Sequence, residues 1–421
     1  GLIVINDTDS ANDAYIQFDT VTTVSGDGSI HLAGSLGDSQ IVTASGAVVT
    51  IGPDQSVTGS GDVRATLVNE GSFRAFPSTH GDGRLRLLSG AKTNHGTMTA
   101  ETGGILDFNS VGVTQSGPGL VLADGGVVEF NGNPSFAGGV LDTANGGRII
   151  RQGNGTLNLG NTTLEGDLEL MAAGVVVITG DEIVNNATIE INNTTSANDA
   201  WLQFSDVATI DGTGRVFLGG GHGDSQITCA AGATGTFGPG QTIEGIGDLH
   251  GTYTVRGAIE PGLPIGDIGG SGALTLADSA LLDIEANGDP GNHDRVARSG
   301  SIALAGTLRF RFTEAPTVFP AVYPVVSCQN LSGAFDALDL PAPIRGESAV
   351  YVGYDATTAY VAFTCLPDNA PPYGVLDLAD VTGFVDAFLA HEPPGDLAEP
   401  FGLWDLADVL AFVAEFTGGC P

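Results

Sequence analysis

Two acidic segments near the C-terminus carry residue types and spacing that suit a divalent cation. Segment 368–380 aligns with segment 396–408 at an offset of 28 residues, and both copies end in Asp-Leu-Ala-Asp. Carboxylate oxygens around a glycine, followed by a helix, are the arrangement that binds Ca²⁺ in proteins. We therefore predict calcium as a cofactor. The candidate ligands are Asp368, Asp377, Asp380, Asp396, Asp405 and Asp408.

A second interpretation of these aspartates is that they cap helices. Asp380 and Asp408 each precede apolar residues at helical spacing, where a carboxylate accepts hydrogen bonds from the N–H groups of the first turn. Residues 371–373 and 399–401, Pro-Pro-Tyr and Glu-Pro-Phe, stand where a calcium loop carries Asp or Asn, and each loop is about one residue longer than usual. The sequence leaves both roles open.

The C-terminal segment 365–421 is predicted to be a small two-helix module. Each copy places valine and phenylalanine at i, i+3, i+4 and i+7, as in Val381 to Phe388 and Val409 to Phe416. The repeated Leu-Asp-Leu-Ala-Asp text and the final Gly-Cys-Pro make the segment resemble dockerin modules of the kind that end exported bacterial proteins. That resemblance implies a sorting or attachment tag that docks to a partner or to the cell surface.

A long duplication supplies another set of candidate contact residues. Residues 3–62 and 189–248 align without a gap, with 32 identities in 60 positions. Within it, residues 10–14 and 196–200 are identical, and an aromatic residue follows each copy. These residues could bind a glycan or a cation at two related places, or form the same structural turn twice. The candidate contacts are Asn12, Asp13, Tyr15, Asn198, Asp199 and Trp201.

No histidine in the sequence has the neighbours that catalysis requires. His222 lies in a Gly-His-Gly-Asp segment, but the duplicate carries Leu36 at the equivalent position. His80, His250 and His293 are isolated from any second histidine or cysteine at metal-ligand spacing. We therefore expect a protein without a catalytic site.

Composition favours an exported protein and argues against polyanionic partners. The 421 residues contain 49 acidic and 14 basic side chains, a net charge of −35, which would repel nucleic acid and anionic membranes. No apolar stretch is long enough to span a membrane. The chain starts at Gly1 inside a strand pattern, and we expect a processed or truncated form of an extracellular or cell-surface bacterial protein.

Four cysteines fit an oxidising compartment. Cys365 and Cys420 bracket the C-terminal module and are a candidate disulfide around it. Cys229 and Cys328 could pair with each other, remain free or exchange partners, because four cysteines allow three complete pairings.

The elements that must position all these residues are short β-strands. Up to about residue 256 the chain repeats apolar alternations of three to six residues, closed by Gly, Asn or Asp. Such text is compatible with a sandwich array or a parallel β-solenoid, and the short, even units favour a right-handed parallel β-helix. The offset of 186 residues then corresponds to about nine turns of roughly 20 residues.

Residues 257–312 change character and carry a second resemblance. The text runs from Pro261-Gly262 through Leu-Thr-Leu at 274–276 and Leu-Leu-Asp-Ile-Glu at 281–285 to Gly-Thr-Leu-Arg-Phe at 306–310. It resembles the repeat near the end of autotransporter passenger domains, which implies an adhesin-type β-helix over 1–312. Longer strands in 313–364 are predicted to form a β cap.

Three functions are compatible with these features. The favoured one is a non-catalytic structural or adhesive β-helix at the cell surface, whose tail attaches to an extracellular protein or glycan. The first alternative is a polysaccharide lyase or hydrolase on the same scaffold. The second is a subunit of an extracellular fibre that associates end to end, because the N-terminal turn shows no cap in the sequence.

Overall fold

A computed structural model provides the coordinates. It describes residues 1–8, 12–78, 80–192, 198–262, 264–288, 290–317, 321–341, 348–365, 367–370, 376–392, 395–398 and 402–418. The chain divides into two compact units, the first formed by 1–258 with 270–273 and the second by 259–269 with 274–421.

The chain folds as a parallel β-solenoid, with about 13 turns shared between the two units, and ends in two α-helices. This confirms the predicted fold class. The first unit contains the strands β1 (Leu2–Ile5), β2 (Ala14–Phe18), β3 (Thr22–Val24), β4 (Gly28–Leu32), β5 (Ser39–Thr43), β6 (Val49–Ile51), β7 (Gln55–Gly59), β8 (Gly61–Val63), β9 (Leu67–Asn69), β10 (Ser72–Ala75), β11 (Arg84–Leu88), β12 (Lys92–Asn94), β13 (Thr97–Glu101), β14 (Ile105–Asn109), β15 (Gly112–Gln115), β16 (Leu120–Asp124), β17 (Val127–Asn131), β18 (Ser135–Ala137), β19 (Val140–Ala144), β20 (Arg148–Arg151), β21 (Thr156–Gly160), β22 (Thr163–Leu164), β23 (Leu168–Leu170), β24 (Val175–Ile178), β25 (Glu182–Asn185), β26 (Thr188–Ile191), β27 (Ala200–Phe204), β28 (Val207–Asp211), β29 (Arg215–Leu218), β30 (Ser225–Cys229), β31 (Thr234–Phe237), β32 (Thr242–Gly245), β33 (Gly247–His250) and β34 (Thr252–Val255).

The strands β35 (Ala258–Pro261) and β36 (Asp267–Ser271) contain residues of both units. The second unit continues with β37 (Leu274–Leu276), β38 (Leu281–Asn287), β39 (Arg295–Ala297), β40 (Ser301–Leu304), β41 (Thr307–Glu314), β42 (Ala321–Ser327), β43 (Asn330–Gly333), β44 (Ala337–Asp339), β45 (Ser348–Tyr354), β46 (Thr358–Cys365), α1 (Leu378–Ala390) and α2 (Leu406–Gly418). Its last strands turn antiparallel, since β46 pairs with both β42 and β45.

Three parallel sheets run through the first unit, and consecutive strands belong to different sheets. Sheet A starts with β1 and takes every third strand, sheet B starts with β2, and sheet C starts with β3. Each strand is therefore hydrogen-bonded to the strand one full turn away. Because the pairs are parallel, a residue lies directly beside its counterpart in the next turn, about 4.8 Å away.

Inward side chains of the first unit stack into apolar columns. On sheet A, Val57 aligns with Phe73, which aligns with Met98, Val121 and then Leu141. All five are fully buried. The period of two in each short strand places every second residue inward, and burial of these side chains is the main favourable free energy of the fold.

One buried column is made of amides instead. Asn69 donates from Nδ2 to Oδ1 of Asn94 at 2.7 Å, and Asn94 donates from Nδ2 to Oε1 of Gln115 at 2.6 Å. Each amide satisfies the next because consecutive turns are in register. The three residues are almost completely buried, so this polar column depends on every member being present.

The duplicated segments occupy different sheets. Tyr15 lies on β2 in sheet B, whereas its counterpart Trp201 lies on β27 in sheet C. The copies are 25 strands apart (27 − 2), which equals eight turns plus one strand. The predicted offset of about nine whole turns is wrong, because the turns contain more than 20 residues on average.

Replacing the central amide tests the buried column. We expect Asn94→Ala to lower the free energy of unfolding by about 2–6 kcal/mol, because a buried amide donor and a buried amide acceptor lose their partners at about 1–3 kcal/mol each. Urea unfolding followed by circular dichroism measures the change. Thr93→Ala, on the outward side of the same strand, is the matched control. Equal losses in both variants would contradict this role.

Candidate functional site

The duplicated turn is built around an asparagine in the left-handed conformation. Asn6 has φ 56° and Asn192 has φ 52°. Asn6 donates from Nδ2 to the carbonyl oxygen of Asn12 at 3.3 Å, and Asn192 makes the same bond to Asn198 at 3.0 Å. Asn12 and Asn198 are therefore acceptors inside the same turn, formed twice.

The two candidate aspartates are held by a repeated glutamine. Gln40 lies 3.4 Å from the Asp13 carboxylate, and Gln226 lies 3.5 Å from that of Asp199, in both cases through Nε2. The two copies thus place an equivalent glutamine beside an equivalent aspartate. These contacts are compatible with a structural turn formed twice, and glycan or cation binding at Asn12, Asp13, Asn198 and Asp199 stays a prediction.

The two aromatic candidates are exposed but do not share a surface. Tyr15 is 61% exposed on sheet B, and Trp201 is 37% exposed on sheet C. The structure does not bring the two copies together on one face. It instead aligns Tyr15 with residues that sequence reasoning did not single out.

An outward column on sheet B starts at Tyr15 and becomes strongly charged. Tyr15 aligns with Gln40, Gln40 with Asp62, and Asp62 with Arg86. Arg86 aligns with Asp107, and Asp107 with Glu129. We call these six residues the sheet B ladder. Its members are 21 to 25 residues apart in sequence at uneven intervals, and only the register of the turns reveals it.

Asp62 anchors the first ion-pair group of the ladder. Arg86 donates from Nε and Nη2 to the two carboxylate oxygens of Asp62, both at 2.9 Å. Arg64 adds a bond from Nη2 to Oδ2 at 2.9 Å. The Asp62 carboxylate is fully buried beneath these guanidinium groups, so a rigid two-pronged contact holds Arg86 at the surface.

A second group joins the next two carboxylates. Arg84 donates from Nη1 to Oδ2 of Asp107 at 3.2 Å and to Oε2 of Glu129 at 2.6 Å. Asn131 donates from Nδ2 to Oδ1 of Asp107 at 2.8 Å and to Oε2 of Glu129 at 3.2 Å. Burial raises the pKa of Asp107, and the bonds from Asn131 and Arg84 only partly oppose that shift.

The same outward column continues through the first unit with further acids. Glu129 aligns with Ile150, which aligns in turn with Glu169, Glu190, Phe217 and Glu244. Arg148 holds Glu169 and Arg215 holds Glu244, at 2.8 Å in each case. Sheet B thus carries most of the arginines of a chain that has only 14 basic residues.

The C-terminal helices begin three residues earlier than predicted. Asp377, rather than Asp380, is the N-cap of α1, and its Oδ1 accepts from the backbone N–H of Ala379 at 2.6 Å. Asp405 accepts in the same way from Ala407. The interpretation of Asp380 and Asp408 as N-caps is wrong, because both lie inside the first turn of their helices.

Asp380 and Asp408 are buried acceptors that tie each loop to its helix. Asp380 accepts from the backbone N–H groups of Ala370 and Asp377, both at 2.9 Å. Asp408 accepts from three backbone N–H groups, those of Leu397, Ala398 and Asp405, each at 2.8 Å. Burial opposes ionisation of Asp408, but these hydrogen bonds together lower its pKa.

The geometry of the described residues does not assemble a metal centre. Asp368 is buried, and Asp396 accepts from the backbone N–H of Gly402 at 2.6 Å. No group of three His, Cys, Asp or Glu side chains in the described part of the chain is arranged to hold a metal ion. The loop segments 371–375 and 399–401 lie outside that part. Calcium binding stays a prediction.

The histidines and cysteines are placed as follows. His222 contacts Asp248 at 2.9 Å through Nδ1, and His250 contacts Ser271 at 3.0 Å. Cys229 and Cys328 are free thiols. The predicted disulfide involves Cys420, which lies outside the described residues, as does the side chain of Cys365.

Asp294, in the segment 257–312, is a buried acid. Its oxygens accept from the backbone N–H groups of Gly266 and Glu285, both at 2.8 Å, and it is 2% exposed. Burial raises its pKa to about 7, and the negative charges of Glu285 and Asp283 add to the shift while the two N–H bonds oppose it. Asp294 thus links Gly266 to β38.

Comparison with known proteins adds no family. No protein-family model matches the chain, and no curated protein matches it significantly. No helix among the described residues is long and apolar enough to cross a membrane.

The buried acid gives a pH prediction. The folded protein keeps a proton on Asp294 between its unfolded pKa, near 4, and about 7, so this group's contribution to stability falls as pH rises through that window. We expect Asp294→Asn to remove this dependence, whatever its effect on absolute stability. Urea midpoints at pH 4.5, 6 and 8 measure it. Parallel pH profiles for the variant and the parent protein would contradict the assignment.

Proposed function

We propose that this protein is a non-catalytic structural or adhesive β-helix of the bacterial cell surface. The observation that carries the proposal is the sheet B ladder. Its carboxylates are pinned by Arg64, Arg84, Arg86 and Asn131, which makes a rigid polar surface. A general base needs a carboxylate that can reach a substrate, and here the arginines cover the carboxylates.

The C-terminal helices support attachment through the tail. Phe384 of α1 stacks on Phe412 of α2 with ring centroids 4.2 Å apart, which packs the helices together. Leu378 and Leu406, equivalent in the two copies, remain 76% and 70% exposed. Exposed leucines on a duplicated helix pair fit the dockerin resemblance, in which the helices dock to a partner.

One observation favours a carbohydrate-active enzyme as the second candidate. Asp107 and Glu129 share the Nη1 group of Arg84, and burial raises the pKa of Asp107. A carboxyl group with a raised pKa close to a second carboxyl group is a feature of the acid pairs that glycoside hydrolysis uses. End-to-end association into a fibre stays a prediction.

Substitution of the exposed leucines tests the attachment role. We expect Leu378→Asp with Leu406→Asp, in the full chain, to reduce the cell-associated fraction at least five-fold in the producing bacterium, because charge on both helices opposes an apolar contact. Immunoblots of cell and medium fractions measure the loss. Val21→Asp, at an equally exposed solenoid position, is the control. Unchanged retention in the double variant would defeat the attachment proposal.

Calcium titration of the full chain tests the predicted cofactor. If calcium binds the duplicated loops, calorimetry should show saturable heat that Asp396→Asn reduces and that Asp386→Asn, on the outside of α1, leaves unchanged. If the aspartates only bind backbone N–H groups, calcium and a chelator should leave both the heat and the melting temperature unaltered, and the calcium prediction is then wrong.

A further inference from the structure

We propose that the sheet B ladder is a binding surface for an uncharged polysaccharide chain lying along the solenoid axis. The inference deepens the adhesive function proposed above, on which it rests, by naming the ligand class and the residues that contact it. It depends on the register of six consecutive turns in the first unit and on the way the outward side chains of those turns are held.

The first argument is geometric. The ladder places one outward side chain per turn in an unbroken row, with neighbours about 4.8 Å apart, so six turns span about 24 Å. The register runs directly from Tyr15 to Glu129 through parallel pairs. Tyr15, Gln40 and Arg86 reach the surface of this row, while Asp62, Asp107 and Glu129 lie buried beneath guanidinium groups. An extended row of this kind suits a linear polymer better than it suits a compact ligand.

The second argument is chemical. A sugar hydroxyl both donates and accepts a hydrogen bond, so it fits a surface where guanidinium N–H groups donate and the side-chain oxygens of Gln40 and Tyr15 accept. Arg84 uses only Nη1 for its two carboxylates, and its Nε and Nη2 make no hydrogen bond with any described residue. Arg86 uses Nε and Nη2 for Asp62, and its Nη1 likewise makes no hydrogen bond with any described residue.

The third argument is electrostatic. Three guanidinium groups, from Arg64, Arg84 and Arg86, balance three carboxylates, from Asp62, Asp107 and Glu129, so the site is formally neutral. The chain around it carries a net charge of −35. That field repels polyanions, and the balanced site offers no excess positive charge to attract them. An uncharged polysaccharide is not repelled by the negative net charge and needs no excess positive charge at the site in order to bind.

Tyr15 supplies the apolar contact that sugar recognition needs. Its ring is 61% exposed at one end of the row, beside Gln40 in the next turn. An exposed aromatic face can stack on the C–H face of a sugar ring while the polar groups bind the hydroxyls. The charged members are also pre-organised, because the buried carboxylates already fix the guanidinium groups and little side-chain entropy is lost on binding.

Affinity electrophoresis of the purified full chain tests the surface. The probes are the neutral polymers hydroxyethyl cellulose, xyloglucan and galactomannan, with polygalacturonate and alginate as acidic polymers. We expect at least one neutral polymer to retard the protein. Tyr15→Ala should weaken that retardation at least five-fold, and Trp201→Ala, the duplicate residue on sheet C, should leave it unchanged.

A second variant keeps the test independent of folding. Arg84→Lys preserves the positive charge but loses the planar guanidinium group, and we expect this variant to weaken retardation. For Tyr15→Ala we expect the melting temperature of the parent protein, because Tyr15 is exposed. Failure of every neutral polymer, retardation by acidic polymers alone, or equal loss in Trp201→Ala would overturn the proposal.

Reducing-sugar assays on the same polymers separate this inference from the proposed function. If a retarded polymer is also cleaved, and Glu129→Gln stops the cleavage without abolishing retardation, the ladder binds saccharide but the non-catalytic function is wrong. If no polymer is retarded while the tail variants still lose cell retention, the surface role stands and the ladder proposal fails.

Discussion

The register between turns is the constraint on which the rest of this structure depends. Parallel pairing places each residue beside the residue one turn away. Whether a side chain is accommodated therefore depends on its neighbours in the adjacent turns as well as on its own strand. Apolar columns such as Val57 to Leu141 supply the buried surface. A polar residue survives in a column only where its neighbours complete its hydrogen bonds, as Asn69, Asn94 and Gln115 do inside.

The same rule operates outside on sheet B. Asp62, Asp107 and Glu129 are buried at outward positions because arginines from adjacent turns or strands close over them. Removal of one partner would leave an unpaired charge in a buried, low-dielectric environment. The free-energy cost of that charge is far larger than the stabilisation that a surface ion pair provides. The network therefore behaves as one rigid surface, and that rigidity is what a binding function would use.

Much of the fold could be predicted from the sequence, because short alternations closed by Gly and Asn specify strands and corners locally. The columns could not, since they depend on the length of every intervening turn. Lys92 shows the difference. The sequence Lys-Thr-Asn at 92–94 does not predict that the lysine points inward. In the structure its Nζ donates to the carbonyl oxygens of Ala65, Ser89 and Gly90 at 2.6–2.8 Å.

The duplication was informative in the same limited way. It preserves a turn, with Asn6 and Asn192 in the same conformation and Gln40 and Gln226 on equivalent aspartates. It does not place the two copies on the same face of the solenoid, because the first copy's Tyr15 strand lies in sheet B and the second copy's Trp201 strand lies in sheet C. Similarly, the duplicated acidic text predicted two helices correctly but misplaced their starts, since Asp377 and Asp380 compete for the same cap and only backbone geometry decides between them.

The register itself is open to one direct measurement. In a background with all four cysteines replaced by serine, Ile105→Cys with Val127→Cys places two thiols on in-register outward neighbours of sheet B, within the Cα separation that a disulfide accepts. Ile105→Cys with Glu129→Cys offsets the pair by two residues, about 8 Å apart. Mild oxidation should cross-link the first pair and leave the second reduced. Preferential cross-linking of the second pair would show a slipped register and remove the basis of the ladder.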